Sequence, residues 1–312
     1  MRKRDRVGYR ASRMKTFSPT VWSILKRATL LAFVLLLLPG CVNRLFYHPN
    51  RIAYRAPESF GAPVREVYFE SSDGTKLHGW FATATTTNVL GTVVHFHGNA
   101  QNLTAHSTFV EWLPANGFHV FMFDYRGYGK SEGHPSRRGL FEDGVAALRY
   151  VRTLPEVDTN RIVVLGQSLG GATALAVAGR HPDLAGQAMV IDSAFYSYRR
   201  IVRDKIALIP ILSLLRVPLS YLLITDAYTP SATLGAIAPT PILYIHGTRD
   251  LVIPFHHGEW FRDNTPGPSD LLVIENGQHI SAFHTQSADA IPLVLSFITN
   301  ALDGAIAVPI PE

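Results

Sequence analysis

Cysteine is nearly absent. Cys41 is the only one in 312 residues, so the chain can form no internal disulfide, and zinc modules built on paired thiolates are excluded. The spacings of P-loops and of dinucleotide-binding turns are missing as well. No internal repeat is present, and no apolar run reaches the roughly 20 residues that a membrane-spanning helix needs. A basic surplus exists, but it is unevenly placed. Of 29 basic and 24 acidic residues, 9 basic and 1 acidic fall within residues 1–40, which leaves 20 basic against 23 acidic, a formal −3, for the remainder. That remainder carries no basic bias of the kind nucleic acid requires.

The first forty residues have a composition of their own. Arg2, Lys3, Arg4, Arg6, Arg10, Arg13, Lys15, Lys26 and Arg27 precede the apolar run Ala28 to Leu38, which ends at Pro39-Gly40-Cys41. A basic flank, a short apolar core and a small residue before the cut describe a secretory signal. Met14 offers a start that would shorten the leader to a more ordinary length. Leu38-Pro39-Gly40-Cys41 resembles a bacterial lipobox, which implies that Cys41 is lipidated and becomes the mature N-terminus, although Pro39 is an unusual occupant. An uncleaved signal anchor is the alternative. Val42, rather than Asp, follows the cysteine, which favours the outer over the inner membrane of a bacterial envelope. The expectation is a domain anchored to the membrane by lipid and otherwise outside the bilayer.

Chemistry is concentrated in four places. Gly166-Gln167-Ser168-Leu169-Gly170 lies between the β-branched run Arg161–Leu165 and the small-residue helix that follows. A serine on a sharp strand-to-helix turn needs glycines beside it, and the turn lifts its hydroxyl above the carboxyl ends of the strands. Asp250 closes the strand and turn Pro241–Arg249, and His279 follows the strand Leu271–Ile274. Ser168 needs an adjacent imidazole to take its proton. His279 is the candidate base, and Asp250 the acid that fixes its tautomer. The strand Val93–Phe96 ends in His97-Gly98-Asn99-Ala100. The backbone N–H groups of Asn99 and Leu169 are the candidate oxyanion hole, Gly98 permits close approach, and His97 braces the loop.

His97–Asn102, the stretch Asp124-Tyr125-Arg126-Gly127-Tyr128-Gly129-Lys130-Ser131-Glu132-Gly133, Pro135-Ser136 and Gly139-Leu140 are similar to the Bem46-type branch of the α/β-hydrolase superfamily, over roughly Val64 to Leu302. The resemblance implies an α/β-hydrolase fold, an about eight-stranded, mostly parallel sheet with helices on both faces, and cleavage of esters or thioesters without cofactor or metal. Asp250, after strand seven, matches the family position of the acid, while Asp192, at the end of strand six, is its rival. Asp124 and Arg126 are expected to hydrogen-bond the backbone of their own turn.

The expected organisation is a signal peptide at 1–40, a catalytic domain at 41–302 and a tail at 303–312. An apolar cap insertion occupies 195–240, with short helices over Ile206–Leu215 and Pro218–Ile224. Strands are expected at Arg65–Glu70, Lys76–Ala82, Gly91–Phe96, His119–Asp124, Arg161–Leu165, Gln187–Asp192, Pro241–His246 and Leu271–Ile274. Helices are expected at Leu103–Ala115, Gly139–Thr153, Leu169–His181, His256–Asp263 and Gln286–Leu302. The functional expectation is a serine hydrolase acting on a small-molecule or lipid ester. Its alternatives are a non-catalytic lipoprotein that binds a lipid or protein, and an amide-cleaving serine peptidase.

Overall fold

The computed structural model describes residues 46–283 and 290–305, together with Lys26. The leader, Cys41 and residues 306–312 lie outside the described residues. The strands are β1 (His48–Pro49), β2 (Val64–Glu70), β3 (Lys76–Ala82), β4 (Gly91–Phe96), β5 (Ala100–Gln101), β6 (Phe118–Phe123), β7 (Ile162–Gln167), β8 (Ala188–Asp192), β9 (Ile242–Gly247) and β10 (Ser269–Ile274). Eight of them form one sheet in the order β10-β9-β8-β7-β4-β6-β3-β2, while β1 and β5 pair by themselves. The pairs β2–β3 and β3–β6 are antiparallel. All later pairs are parallel.

Burial explains why these segments become strands. The edge strand β2 alternates, with Val67 and Phe69 inward and Glu66, Tyr68 and Glu70 in solvent. Strands β4, β6, β7, β8 and β9 are buried along their length, as expected for parallel strands covered on both faces. The β2–β3 hairpin closes at Ser72–Thr75, where Gly74 takes φ +79° and Asp73 Oδ1 accepts the Thr75 N–H at 3.1 Å. One face of the sheet carries α2 (Arg137–Val151) and α3 (Leu169–Arg180), and the other carries α7 (Ala290–Leu302).

Two helical expectations are corrected. The segment 103–115 forms α1 (Leu103–His106) and then two 3-10 turns, Ser107–Phe109 and Pro114–Asn116. The Ser107 and Thr108 hydroxyls donate back to the carbonyls of Thr104 and Ala105, competing with helix continuation, and Pro114 can supply no N–H. In the cap, the first helix is α4 (Tyr198–Ala207), opened by the Ser197 hydroxyl accepting the Arg200 N–H. The run expected to be helical at 206–215 is mostly a turn around Pro210, ending in the 3-10 turn Ser213–Leu215, and α5 (Arg216–Leu223) follows. Among the described residues no helix is long and apolar enough to cross a membrane.

The turn after β6 is also held differently from expectation. The Asp124 carboxylate accepts the N–H of Leu103 at 2.7 Å, tying the turn to the start of α1. Arg126 donates to Asp143 at 2.7 Å, to Asp73 at 2.7 Å and to the Ser71 hydroxyl at 3.1 Å. The turn's own backbone is held by Ser131 Oγ, which donates to the Asp124 carbonyl at 2.7 Å. Asp143 is fully buried, and burial pushes its carboxyl up despite the guanidinium beside it.

Removing one member of a buried ion pair strands the other, at a cost of about 3–5 kcal/mol. Arg126→Met is therefore expected to destabilise the fold by that amount in urea unfolding. Arg65→Met breaks the exposed Arg65–Glu156 pair and the contact of the guanidinium with the Phe81 ring and should change stability by less than about 1 kcal/mol.

Candidate active site

Ser168 joins β7 to α3 with φ 54° and ψ −119°, a left-handed backbone that a residue with a side chain rarely adopts. Its N–H donates to the Asp192 carbonyl at 2.8 Å, which pins the turn to β8. The flanking glycines are steric requirements. A Cβ on Gly166 would lie 2.6 Å from Gly171 Cα, and one on Gly170 would collide with the carbonyl oxygen of Phe96. Close packing of β7, β4 and α3 thus leaves the Ser168 side chain one direction, outward from the sheet's carboxyl end.

His279 and Asp250 meet it there. Ser168 Oγ lies 2.9 Å from His279 Nε2, and His279 Nδ1 lies 2.7 Å from Asp250 Oδ2. The other Asp250 oxygen accepts the N–H groups of Val252 and Ile253, each at 2.8 Å. Burial raises the Asp250 carboxyl, but the hydrogen bond and charge of His279 and the Ile253 N–H outweigh it and hold the pKa below the usual range. The group is a carboxylate whose remaining acceptor points at an imidazole. This orders Nδ1–H toward Asp250 and leaves the Nε2 lone pair facing the serine hydroxyl.

Asp192 is placed elsewhere. Its oxygens accept from Gln167 Nε2 at 3.1 Å and from the Ser193 hydroxyl at 2.9 Å. Burial raises its pKa to about 6, against the pull of those two donors. Gln167 Oε1 in turn lies 3.1 Å from His95 Nε2, and Ser193 Oγ accepts the Ile280 N–H at 3.1 Å. A buried polar chain thus runs under the serine and out to the residue beside His279.

The Asn99 loop closes the other side. Gly98 sits so near the serine that a Cβ there would lie 3.7 Å from Ser168 Cβ and 3.0 Å from the His106 ring. His97 is buried, with Nδ1 2.7 Å from the Gly98 carbonyl and Nε2 3.4 Å from Asp124. The Asn99 side chain is pinned three ways. It accepts from Tyr128 Oη at 2.9 Å and from the His48 N–H at 3.2 Å, and donates to the Phe46 carbonyl at 2.5 Å. Asn99, at the bend of the loop, and Leu169, first residue of α3, both line the space in front of Ser168.

Phe46, His48 and Tyr128 were missed in the sequence. Tyr128 had a visible signal, since it belongs to the DYRGYG stretch, but that stretch reads as a turn. Phe46 and His48 had none, because they reach the site only through the pairing of β1 with β5. In front of the serine lies a cavity of about 610 Å³, walled by Phe46, Phe109, Phe195, Ile201, Val202 and Ile253 among others. Among the described residues, none of those lining it is an aspartate or glutamate.

One cluster away from the serine has a metal-like composition. Ligand atoms of Asp204, His256 and His257 fall within 4.8 Å of one another. His257 Nδ1 accepts the Tyr196 N–H at 2.9 Å, so its proton sits on Nε2 and is donated to Asp204 at 2.9 Å. That nitrogen has no lone pair for a cation. The trio is a hydrogen-bonded pin between α4 and the helix α6 (His256–Asn264).

Several comparisons bear on this arrangement. A family model described as serine aminopeptidase, S33, matches residues 87–229, a span that holds Asn99 and Ser168 and stops short of Asp250 and His279. YfhR of Escherichia coli K12 is 38% identical over 276 residues, covering 87% of this chain and 92% of that protein. The alpha/beta hydrolase domain-containing protein WAV2 of Arabidopsis thaliana is 34% identical over 212 residues, 64% of this chain and 66% of that one. Among solved structures, an esterase of Pyrococcus furiosus superposes with a TM-score of 0.64 at 22% identity, covering 84% of this chain and 99% of that one. Acetyl xylan esterase 1 of Thermoanaerobacterium does so with 0.59 at 23%, covering 79% and 86%. At those identities the two structures establish a shared fold.

Burial holds His95 neutral, with its pKa lowered to about 3, so it binds no proton in the folded state until strongly acid pH. Unfolded, it titrates near its ordinary value of about 6.5. Between these values the unfolded chain binds the extra proton, so stability falls as pH drops from about 6.5 toward 3. His95→Asn should lower the slope of unfolding free energy against pH in this window by about 1.4 kcal/mol per pH unit, measured by urea unfolding at a series of pH values.

Proposed function

The chain belongs to the α/β-hydrolase superfamily, in the family that includes YfhR of Escherichia coli, and on that premise we propose that it is a serine hydrolase. It cleaves carboxylic esters or thioesters through an acyl-enzyme on Ser168. The observation that carries this reading is the unbroken hydrogen-bond chain from Asp250 through His279 to Ser168, aimed into an apolar cavity.

The geometry supplies each step. Ser168 Oγ attacks the substrate carbonyl as its proton passes to His279 Nε2, and Asp250 stabilises the imidazolium. The carbonyl oxygen becomes an oxyanion, which the N–H groups of Asn99 and Leu169 stabilise. Collapse of the adduct breaks the bond to the leaving alcohol or thiol, which takes the proton from His279. Water, deprotonated by the same imidazole, then attacks the acyl-enzyme, and its collapse returns the proton to Ser168 and releases the acid.

An amide-cleaving role uses the same groups, and the family model's description as a serine aminopeptidase brings it forward. An aminopeptidase holds a charged peptide amine. The absence of any carboxylate among the described residues lining the cavity favours a greasy acyl group over a cationic one. The HGNA and DYRGYG stretches support a place for the chain in the Bem46-type branch. Cys41 is the proposed site of lipidation, which would hold the domain on an envelope membrane, the outer one by the residue that follows.

A fluorophosphonate probe should label the native protein and fail to label Ser168→Ala. Ser168→Ala and His279→Ala should each lower turnover of a p-nitrophenyl ester by about 10⁴–10⁶-fold. Equal labelling of wild type and Ser168→Ala would sink the enzymatic reading. Asp250→Asn should cost about 10⁴-fold, whereas Asp192→Asn, at a carboxylate bonded to Gln167 and Ser193 rather than to Ser168 or His279, should cost about tenfold or less. For the anchor, Cys41→Ser should abolish acyl labelling and release the domain from membranes. Retention on membranes without acyl labelling would point to an uncleaved signal anchor.

A further inference from the structure

Three features converge on the mouth of the cavity. The first is an exposed apolar edge. Helix α4 places Ile201, Val202 and Lys205 in the cavity wall and then runs into the turn that starts at Leu208. In that turn Leu208, Ile211 and Leu214 are 73%, 87% and 91% exposed. Lys205 Nζ donates to the carbonyl of Leu251 at 3.2 Å, which brings a further exposed apolar side chain, from the loop that carries Asp250, to the same rim. Bulky aliphatic groups gathered at a rim, facing water, mark a surface that another apolar phase covers.

The second feature is charge. Residues 198–226 hold Arg199, Arg200, Arg203, Lys205 and Arg216 against only Asp204 and Asp226, in a domain that is otherwise acidic. Asp204 is engaged by His256 and His257. Apolar side chains flanked by arginine and lysine are the composition of segments that lie in an anionic lipid interface. Pairing of this edge with the same edge of a second copy would instead set like charges against each other.

The third feature is the point at which the described chain begins. Phe46 is part of the cavity wall. Cys41 stands five residues before it, which is at most about 17 Å of extended chain, and the apolar run Ala28 to Leu38 precedes that. Lipidated cysteine or uncleaved anchor, a membrane tether at Cys41 would hold the cavity wall at Phe46 within that distance of the bilayer.

We propose that the cap edge Leu208–Leu215 rests on an anionic bilayer surface, so that the cavity opens onto the membrane and takes its acyl ester from there. The substrate class rests on the serine-hydrolase reading above, while the docking surface itself does not. A membrane-borne acyl chain would pass from the bilayer across Leu208 and Leu251 into the cavity without crossing water. The basic residues of α4 and α5 would meet the phosphate groups of the surrounding lipid.

The test reads the docking directly. In the full chain carrying Cys41→Ser and Ser168→Ala, an environment-sensitive nitrobenzoxadiazole label is placed at Leu214→Cys or, as control, at Tyr68→Cys on the edge strand β2. Vesicles of equal parts phosphatidylcholine and phosphatidylglycerol should blue-shift the label at 214 and raise its emission several-fold. Salt should weaken the response, and position 68 should stay silent. No response at 214 overturns the proposal, as does an equal response at 68 or an equal response to phosphatidylcholine alone. A response that grows with protein concentration without vesicles overturns it in favour of self-association. Because Ser168 is absent, none of these outcomes depends on turnover, and fluorophosphonate labelling of the native protein tests the enzymatic reading separately. In the active chain, Ile211→Asp with Leu214→Asp should cut hydrolysis of a vesicle-borne long-chain ester by about tenfold or more. A soluble short-chain ester should be hydrolysed within about twofold of the native rate, and equal retention of both activities would overturn the membrane route.

Discussion

The left-handed backbone at Ser168 is a constraint that most of the molecule serves. A non-glycine residue held there costs on the order of 1–3 kcal/mol and persists only where its surroundings leave no alternative. Here β8 holds the serine N–H, α3 starts at the next residue, and Gly166 and Gly170 let β7 and the end of β4 close to backbone contact. Relaxing the turn would require those elements to part. Because the elbow cannot swing, the hydroxyl has a fixed position. A histidine from another loop can then meet it at 2.9 Å, and a carboxylate from a third loop meets that histidine at 2.7 Å.

The opposite wall depends on a less obvious device. The Asn99 loop has little secondary structure of its own, yet it must hold its backbone steady against the serine. It is clamped by the segment that begins at Phe46, through the β1–β5 pairing and the contacts of Phe46 and His48 with Asn99. From the other side Tyr128 and the buried Asp124–His97 contact hold it. The same N-terminal segment also caps the turn after β6, where Asn50 accepts the Gly129 N–H at 2.9 Å. The segment is thus a strap that fastens the loop facing the serine to the turn after β6.

The proposed role and the proposed docking surface meet in the cap. Its α4 face toward the body is fixed by polar contacts, Asp204 to the two histidines and the Arg137 guanidinium 3.8 Å over the Tyr198 ring. Its outer face is apolar and exposed. That division makes the cap a rim of the cavity rather than a second core. It also explains why the strongly apolar stretch 208–215 does not continue the helix: with Pro210 within it and its side chains in solvent, periodicity had nothing to enforce it.

The sequence alone determined the eight strands of the main sheet to within about two residues, the antiparallel start and parallel remainder, and the glycine-flanked elbow. These are legible because each depends on local rules. Buried parallel strands are continuous apolar runs, hairpins need their turn residues, and a strained turn needs glycine on either side. The residues brought together at the serine were legible as well, since their order along the chain follows the order of the strands. Only the tertiary structure decided which acid faces His279. Asp192 and Asp250 both end strands beside the nucleophile, and the choice rests on side-chain direction: one carboxylate turns inward to Gln167 and Ser193, the other outward to the imidazole. It also decided that Arg126 joins Asp73 and Asp143 rather than its own turn, and that Phe46 and His48 belong to the site. Those contacts span 53, 17 and about 50 residues of sequence. No local preference encodes them, because they exist only after the sheet has brought distant segments to one edge.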